Sequence, residues 1–326
     1  MTRLVLGTRG SDLARAQTSL VEQALRASHP ELEIAIEIIT TSGDEKRSAS
    51  VPLASNAGTQ AGRMRYADAA QGRKGMFTAE IELALVRREI DVAIHSAKDL
   101  PSEPTVDLEV CAALPRAPIE DMLITKGFAG LGALPNESTI ATGSVRRQHQ
   151  LRWARPDLKV VDLRGNVPTR LRKLIANSWD GIILARAGLQ RLGFDCSREA
   201  IEFEGQLLRT SILPIEQFLP AGGQGVVALQ IRRDDAGTRQ LLANLNHAGT
   251  LLCLRAEREF LRLLQGDCGT PVGVLASMHQ DSLTMRAQLF DEKRPDPRVA
   301  TLPASGQTPE TLAAELLELI NGQQKS

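Results

Sequence analysis

Apolar positions along the chain recur with two periods that take turns. Residues 4–8, LVLGT, read as a short strand. From Ser11, a natural N-cap, Leu13, Ala16, Leu20, Ala24 and Leu25 keep helical spacing. The period then drops to two, with Leu32, Ile34, Ile36 and Ile38 facing one way. Residues 45–73 show no sustained period and are rich in Ala, Gly, Ser and Gln, which predicts a long lid or binding loop. MFTAEIELALVRREI predicts a helix, and it leads into the alternation of Ile90, Val92 and Ile94. That strand ends in His95, Ser96, Lys98 and Asp99, and Pro101 closes the segment.

The same grammar returns between about 120 and 212. STIATG predicts a strand and turn, SVRRQHQLRWA a helix stopped by Pro156, and LKVVDLRG a strand and turn. NVPTRLRKLIANS, DGIILA and ARAGLQRLG continue as helix, strand and helix. Strands alternating with helices imply parallel sheets and an α/β fold. LPAGGQGVVALQIRR adds a strand with a glycine-rich entry. From about 238 a third unit begins, with long helical runs around an antiparallel pair in VGVLASMHQDSLTMRAQLF. At 326 residues the chain is too long for one ordinary core, which agrees with two or three domains.

Charge changes the picture only locally. The 39 basic and 39 acidic residues cancel, which argues against nucleic-acid binding through an overall field. The basic residues are 31 Arg and 8 Lys, and Arg carries the planar fork that matches carboxylates and phosphates. No segment reads as a secretory signal or a membrane span, so a cytoplasmic protein is expected. The four cysteines are widely spaced and form no ligand pattern, so neither zinc nor a disulfide framework is expected.

Three strand-to-helix junctions place a small capping residue and arginines together: GTRGS with Arg9 and Ser11, TGSVRR with Thr142, Ser144, Arg146 and Arg147, and LRGNVPTRLR with Arg164, Asn166, Arg170 and Arg172. Helix N-termini hold anions, so with Lys98 these junctions predict a cleft for a ligand bearing several carboxylates or phosphates. Cys268 lies in QGDCGTP, a glycine-bordered loop where a thiol can be reached for covalent attachment. His95 near Asp99 leaves two readings open, an acid–base partner or a structural residue.

Taken as a set and in order, GTRGSDLARAQ, TTSGD, KGMFTAEIE, HSAKDLP, TGSVRRQ, LRGNVPTRL, LARAGLQRLG, LPAGGQG and AEREFLRLLQGDCGTPVG resemble the porphobilinogen deaminase (hydroxymethylbilane synthase) family over nearly the whole chain. The resemblance implies three α/β domains. Domain 1 (1–114 plus 219–235) and domain 2 (115–218) would be like the halves of a type II periplasmic binding protein, and domain 3 (236–326) a small α/β unit carrying the cysteine loop. It implies a transferase that condenses four porphobilinogen molecules head to tail into hydroxymethylbilane with loss of ammonia. It implies a dipyrromethane cofactor joined by a thioether to Cys268, Asp99 as the catalytic residue, and a monomer with neither nucleic-acid nor membrane partners. Arg9, Ser11, Gln17, Ser96, Lys98, Thr142, Ser144, Arg146, Arg147, Arg164, Arg170 and Arg191 fall on positions that hold the cofactor and substrate. Lys74 and Phe77 match the end of the lid. The alternatives are a catalytically impaired relative or a carboxylate-binding module of the same fold.

The chemistry fits those assignments. Loss of ammonia from an aminomethylpyrrole leaves a cationic azafulvene, and a fixed carboxylate stabilises such a cation. In a strand, adjacent residues face opposite ways, so Lys98 is expected to serve ligand carboxylates without neutralising Asp99. The chain departs from the family pattern at Ala70, where a second lid lysine is expected, at Arg186, where a small residue is frequent, and in the GDCGTP loop.

Overall fold

The computed structural model describes residues 3–40, 78–265, 270–291, 294–304 and 306–323. Two compact units emerge, residues 1–115 with 226–251, and residues 116–225 with 252–326. The lid expected at 45–73, together with Ala70, Lys74, Phe77 and Cys268, lies outside the described residues.

The first unit is built on β1 (Arg3–Arg9), β2 (Glu33–Ile39), β3 (Val92–Ser96) and β4 (Leu108–Ala113), with the later strand Val227–Arg232, β11 by its place in the chain. Their order is β2-β1-β3-β11-β4. β1 pairs parallel with β2 and β3, while β11 runs antiparallel between β3 and β4. Helices α1 (Asp12–Ser28) and α2 (Ala79–Val86) belong to this unit. Leu4, Leu6, Val21, Leu25, Val92, Leu229 and Ile231 form its main core.

The inward face of α1 differs from the apolar stripe expected for it. Gln17, Thr18, Val21 and Leu25 are buried, and Leu20 is exposed. Two polar side chains turn inward because each has a partner there: Thr18 donates to the Ala14 carbonyl and Gln17 meets Ser96. Ile36 and Ile38 are likewise exposed, because β2 is the outer strand of its sheet.

The second unit repeats that topology. Its larger sheet contains β5 (Asp121–Thr125), β6 (Thr139–Ala141), β7 (Lys159–Val161), β8 (Gly181–Ala185), β9 (Ala200–Phe203) and β10 (Gln206–Ile212), in the order β7-β6-β8-β5-β10-β9. β6 pairs parallel with β7 and β8, and β5 inserts antiparallel beside β8. Apart from the extra β9, this matches the first sheet strand for strand, as expected of two similar halves. Helices α3 (Val145–Ala154), α4 (Val167–Ala176) and α5 (Arg186–Arg191) follow β6, β7 and β8. A smaller antiparallel sheet, β12 (Val272–His279), β13 (Ser282–Leu289) and β14 (Arg298–Pro303), forms its own core with Phe260, Leu312, Leu316 and Ile320. After the short helix α6 (Ala236–Leu242), those four residues come from α7 (Ala248–Leu263) and α8 (Pro309–Gly322).

Glu257 on α7 ties the parts of the second unit together. It is fully buried and accepts from the Arg116 guanidinium at 2.6 and 3.1 Å, from Gly223 N–H at 2.6 Å and from Ala276 N–H at 2.7 Å. Four donors converge on one carboxylate, so Glu257→Gln must turn an amide N–H₂ toward one of them. The expected loss is about 3–5 kcal/mol of unfolding free energy, as for breaking a buried ion pair, measured by urea denaturation. A loss below about 1 kcal/mol would contradict this reading.

Candidate functional site

In the first unit the site grows from the carboxyl ends of β1 and β3, the ends at which open α/β sheets present their functional groups. The chain leaves β1 through Arg9 and Gly10, and Ser11 caps α1 by accepting from Ala14 N–H at 3.3 Å. It leaves β3 at Ser96 and turns through a single 3-10 turn, Ala97–Asp99. Gln17 on α1 and Ser96 exchange two hydrogen bonds, of 2.9 and 3.0 Å, which fixes the helix against the end of β3. Arg9, Ser11, Gln17, Ser96 and Asp99 therefore line one cavity, of about 60 Å³, together with His95 and Thr78.

Lys98 and Asp99 stand in the 3-10 turn and not in a strand. The opposite-facing argument for Lys98 does not apply there, because successive residues of such a turn are about 120° apart. Lys98 does not line the cavity, and Asp99 does.

His95 is buried, and its Nε2 lies 2.9 Å from Gln230 Oε1 on β11. Gln230 Nε2 donates to Glu82 Oε1 at 2.8 Å, and Thr105 donates to Glu82 Oε2 at 2.7 Å. Neither Glu82 nor Gln230 stood out as a site residue from sequence. The available hint was a single glutamine inside the apolar run VVALQI, in a strand that proves buried throughout.

In the second unit the corresponding junction follows β6. A Cβ on Gly143 would collide with the Leu163 carbonyl, so only glycine lets TGS pass this close to the next strand-to-helix loop. Ser144 is the N-cap of α3, yet its side chain makes no capping bond to the helix. Thr142 is buried, and its Oγ1 accepts from Ser144 N–H at 3.3 Å.

Arg146 and Arg147 do not point into open solvent as ligand clamps. Both are buried and both reach Asp121, at 2.8 and 2.6 Å. Asp121 also accepts from Gln224 at 2.9 Å. Arg147 reaches the Ile183 carbonyl, and Arg146 the Leu219 carbonyl and Gln150. Gln150 in turn donates to Gln288 on β13 at 2.7 Å. Burial pushes the Asp121 carboxyl up, but Arg146 and then Arg147 outweigh it and hold it well below the usual carboxylate range. Two guanidiniums face one carboxylate, which leaves this cluster with an excess of positive charge beneath the Thr142–Ser144 junction.

The remaining arginines divide into two kinds. Arg164 is exposed and pairs with Asp162 at 2.8 Å, while Arg170 donates from Nε to the Gly165 carbonyl at 2.7 Å, beside the Asn166 cap of α4. Arg191 is partly buried and donates to the Gly225 carbonyl at 2.7 Å, and among the described residues no carboxylate pairs with it. Burial holds its guanidinium down to about 10, a desolvation cost that an arriving anion would relieve. Arg186, at the start of α5, pairs with Glu120 at 3.4 Å.

Comparison with known proteins places this geometry in context. Residues 4–240 match the family described as porphobilinogen deaminase, dipyromethane cofactor binding domain, and residues 251–321 match the porphobilinogen deaminase C-terminal domain. A porphobilinogen deaminase of Roseiflexus sp. (strain RS-1) is 42% identical over 286 residues, 88% of this chain and 85% of the relative. One from Xanthomonas campestris pv. campestris (strain B100) is 40% identical over 289 residues, 89% of this chain and 86% of the relative. Among solved structures, the methionine binding protein MetQ aligns over 82% of this chain and 96% of its own, at 10% identity and a TM-score of 0.42.

Proposed function

From the premise that the chain belongs to the porphobilinogen deaminase family, we propose that it condenses four porphobilinogen molecules head to tail into hydroxymethylbilane, releasing ammonia at each step. This is a transferase reaction of tetrapyrrole biosynthesis. The observation that carries the residue-level reading is the cavity in which Asp99 is gathered with Arg9, Ser11, Gln17 and Ser96.

Asp99 acts on charge. When ammonia leaves, the substrate pyrrole becomes positive, and a carboxylate held at the end of β3 stabilises that charge as it forms. Asp99 also takes and returns the proton of the pyrrole. Arg9, Lys98, Arg164, Arg170 and Arg191 receive acetate and propionate groups, helped by the hydroxyls of Ser11, Thr142 and Ser144. Gln17 and Ser96 brace each other and keep α1 and β3 in register at the cavity. Arg146 and Arg147 supply positive charge beneath the Thr142–Ser144 junction, with Asp121 holding them in place.

The residues present suit a cofactor that carries carboxylates, because Arg191 is desolvated without an anionic partner among the described residues. When bound, the dipyrromethane supplies the pyrrole carbon to which the first substrate is joined. We assign its attachment, through a thioether, to Cys268. Support comes from the other thiols: burial pushes Cys253 up to about 11 and Cys111 up to about 12, and raises Cys196, so all three stay protonated and unreactive. The same proposal takes 1–114 plus 219–235, 115–218 and 236–326 as the three domains, and the working form as a cytoplasmic monomer. Among the described residues no helix is long and apolar enough to cross a membrane. No observation favours the impaired-relative or binding-module alternatives.

Intact mass spectrometry tests the reading. The purified wild type is expected to be heavier than its sequence by one dipyrromethane, with the added mass on the Cys268 peptide. Cys268→Ser should fold and carry no added mass. A Ser variant with the full adduct would move the attachment elsewhere.

A further inference from the structure

Behind the cavity lies a chain of polar side chains, three of them buried, to which the proposed reaction assigns no part. It runs from Thr105 through Glu82 on α2 and Gln230 on β11 to His95 on β3, and His95 itself lines the cavity beside Asp99. The direction of this chain follows from its chemistry. A carboxylate only accepts, so the Gln230 group facing Glu82 Oε1 at 2.8 Å must be its N–H₂. The reversed amide would set two oxygens against each other. With its nitrogen committed, Gln230 presents Oε1 to His95, and an amide oxygen also only accepts. The nitrogen 2.9 Å away, His95 Nε2, must therefore carry a proton.

We propose that Glu82 and Gln230 are positioning residues for the Asp99 cavity: the charge on Glu82 orients the Gln230 amide, and that amide fixes the tautomer and ring orientation of His95. His95 pairs with Ala228 across the β3–β11 register, so its anchored ring also anchors the end of β3 from which Ser96 and the Asp99 turn are displayed. Displacing a reacting group by a fraction of an ångström lowers the rate while leaving ligand affinity nearly unchanged, because only the reacting geometry depends on it. Glu82→Gln is the informative change. It keeps the shape of the side chain and replaces an obligate acceptor with an amide that satisfies Gln230 in either orientation, so the His95 tautomer is no longer enforced.

This inference rests on the porphobilinogen deaminase reading for its kinetic half only. The test uses the full-length holoenzyme labelled with ¹⁵N-histidine. Long-range ¹H–¹⁵N correlation reports the tautomer of each of the five histidines, and His95→Asn identifies the His95 signals. The wild type is expected to show His95 protonated on Nε2. E82Q is expected to show a mixed or altered His95 pattern, with kcat lowered about tenfold and KM within about twofold of wild type. Should E82Q fail to fold, Q230L carries the same test, since it removes the acceptor from Nε2. A wild-type His95 protonated on Nδ1 alone overturns the proposal, and so does any variant in which tautomer and kcat do not change together. A wild type that consumes no porphobilinogen would count against the proposed function and leave the tautomer result standing.

Discussion

Asp99→Asn is expected to bind porphobilinogen and scarcely condense it. The substitution keeps the size and most of the hydrogen-bonding capacity of the side chain while removing its charge. Arg9 and Ser11 line the same small cavity, and the proposed anchoring is assigned to them, so binding is expected to survive loss of the Asp99 charge. The stabilisation of a cation does depend on that charge, at every one of the four condensations. A fall of at least about a hundredfold in single-turnover rate is expected, roughly 3 kcal/mol of transition-state stabilisation. Mass spectrometry of the enzyme-bound chain during one turnover measures it directly. A variant that elongates at near the wild-type rate would remove Asp99 from the electrostatic role.

A large structural effect is expected at Asp121. Asp121→Asn leaves Arg146 and Arg147 facing each other over a neutral amide in a site with no exposure on the aspartate side. Removing one partner of a buried ion pair costs about 3–5 kcal/mol, because the charge left behind is neither solvated nor paired. Chemical denaturation of the two proteins measures the difference. The wild type also carries a pH signature. The folded carboxyl is held below its unfolded value by the two guanidiniums, so its contribution is complete above the unfolded range of roughly pH 4 and is lost as pH falls through the folded value. Wild-type stability should therefore fall more steeply below about pH 4 than that of the Asn variant, and parallel curves would sink this account.

How much of this was legible beforehand depends on the range of the interaction. Periodicity found the parallel strands β1, β2, β3, β6, β7 and β8 and the helices between them, because each is a local run with its own caps and turns. It passed over β4, β5, β9, β10 and β14; β4 and β5 are held by partners distant in sequence, such as Ile231 of β11 paired with Glu109 of β4, while β9, β10 and β14 pair with neighbours in sequence but carry no clear apolar alternation. The junction motifs were legible for the same local reason: Ser11 and Asn166 cap the helices they precede. Arg146 and Arg147 show the limit. Sequence marks two adjacent arginines in a first helical turn, and nothing nearby announces that Asp121, on another strand, will draw both inward.

The sequence by itself determined the family, the alternation that builds two similar sheets, and the residue types at the ends of their strands, because each of these is carried by contiguous stretches of chain. Tertiary structure decided which of those residues share a cavity and which are spent on one another. Gln17 became a brace for Ser96, His95 became the end of a chain from Glu82, and Lys98 left the strand for a turn that presents Asp99 alone to the cavity. The physical reason is that a buried polar group must find its partner wherever the fold brings one, and pairing across 79 or 135 residues is not encoded in any local pattern.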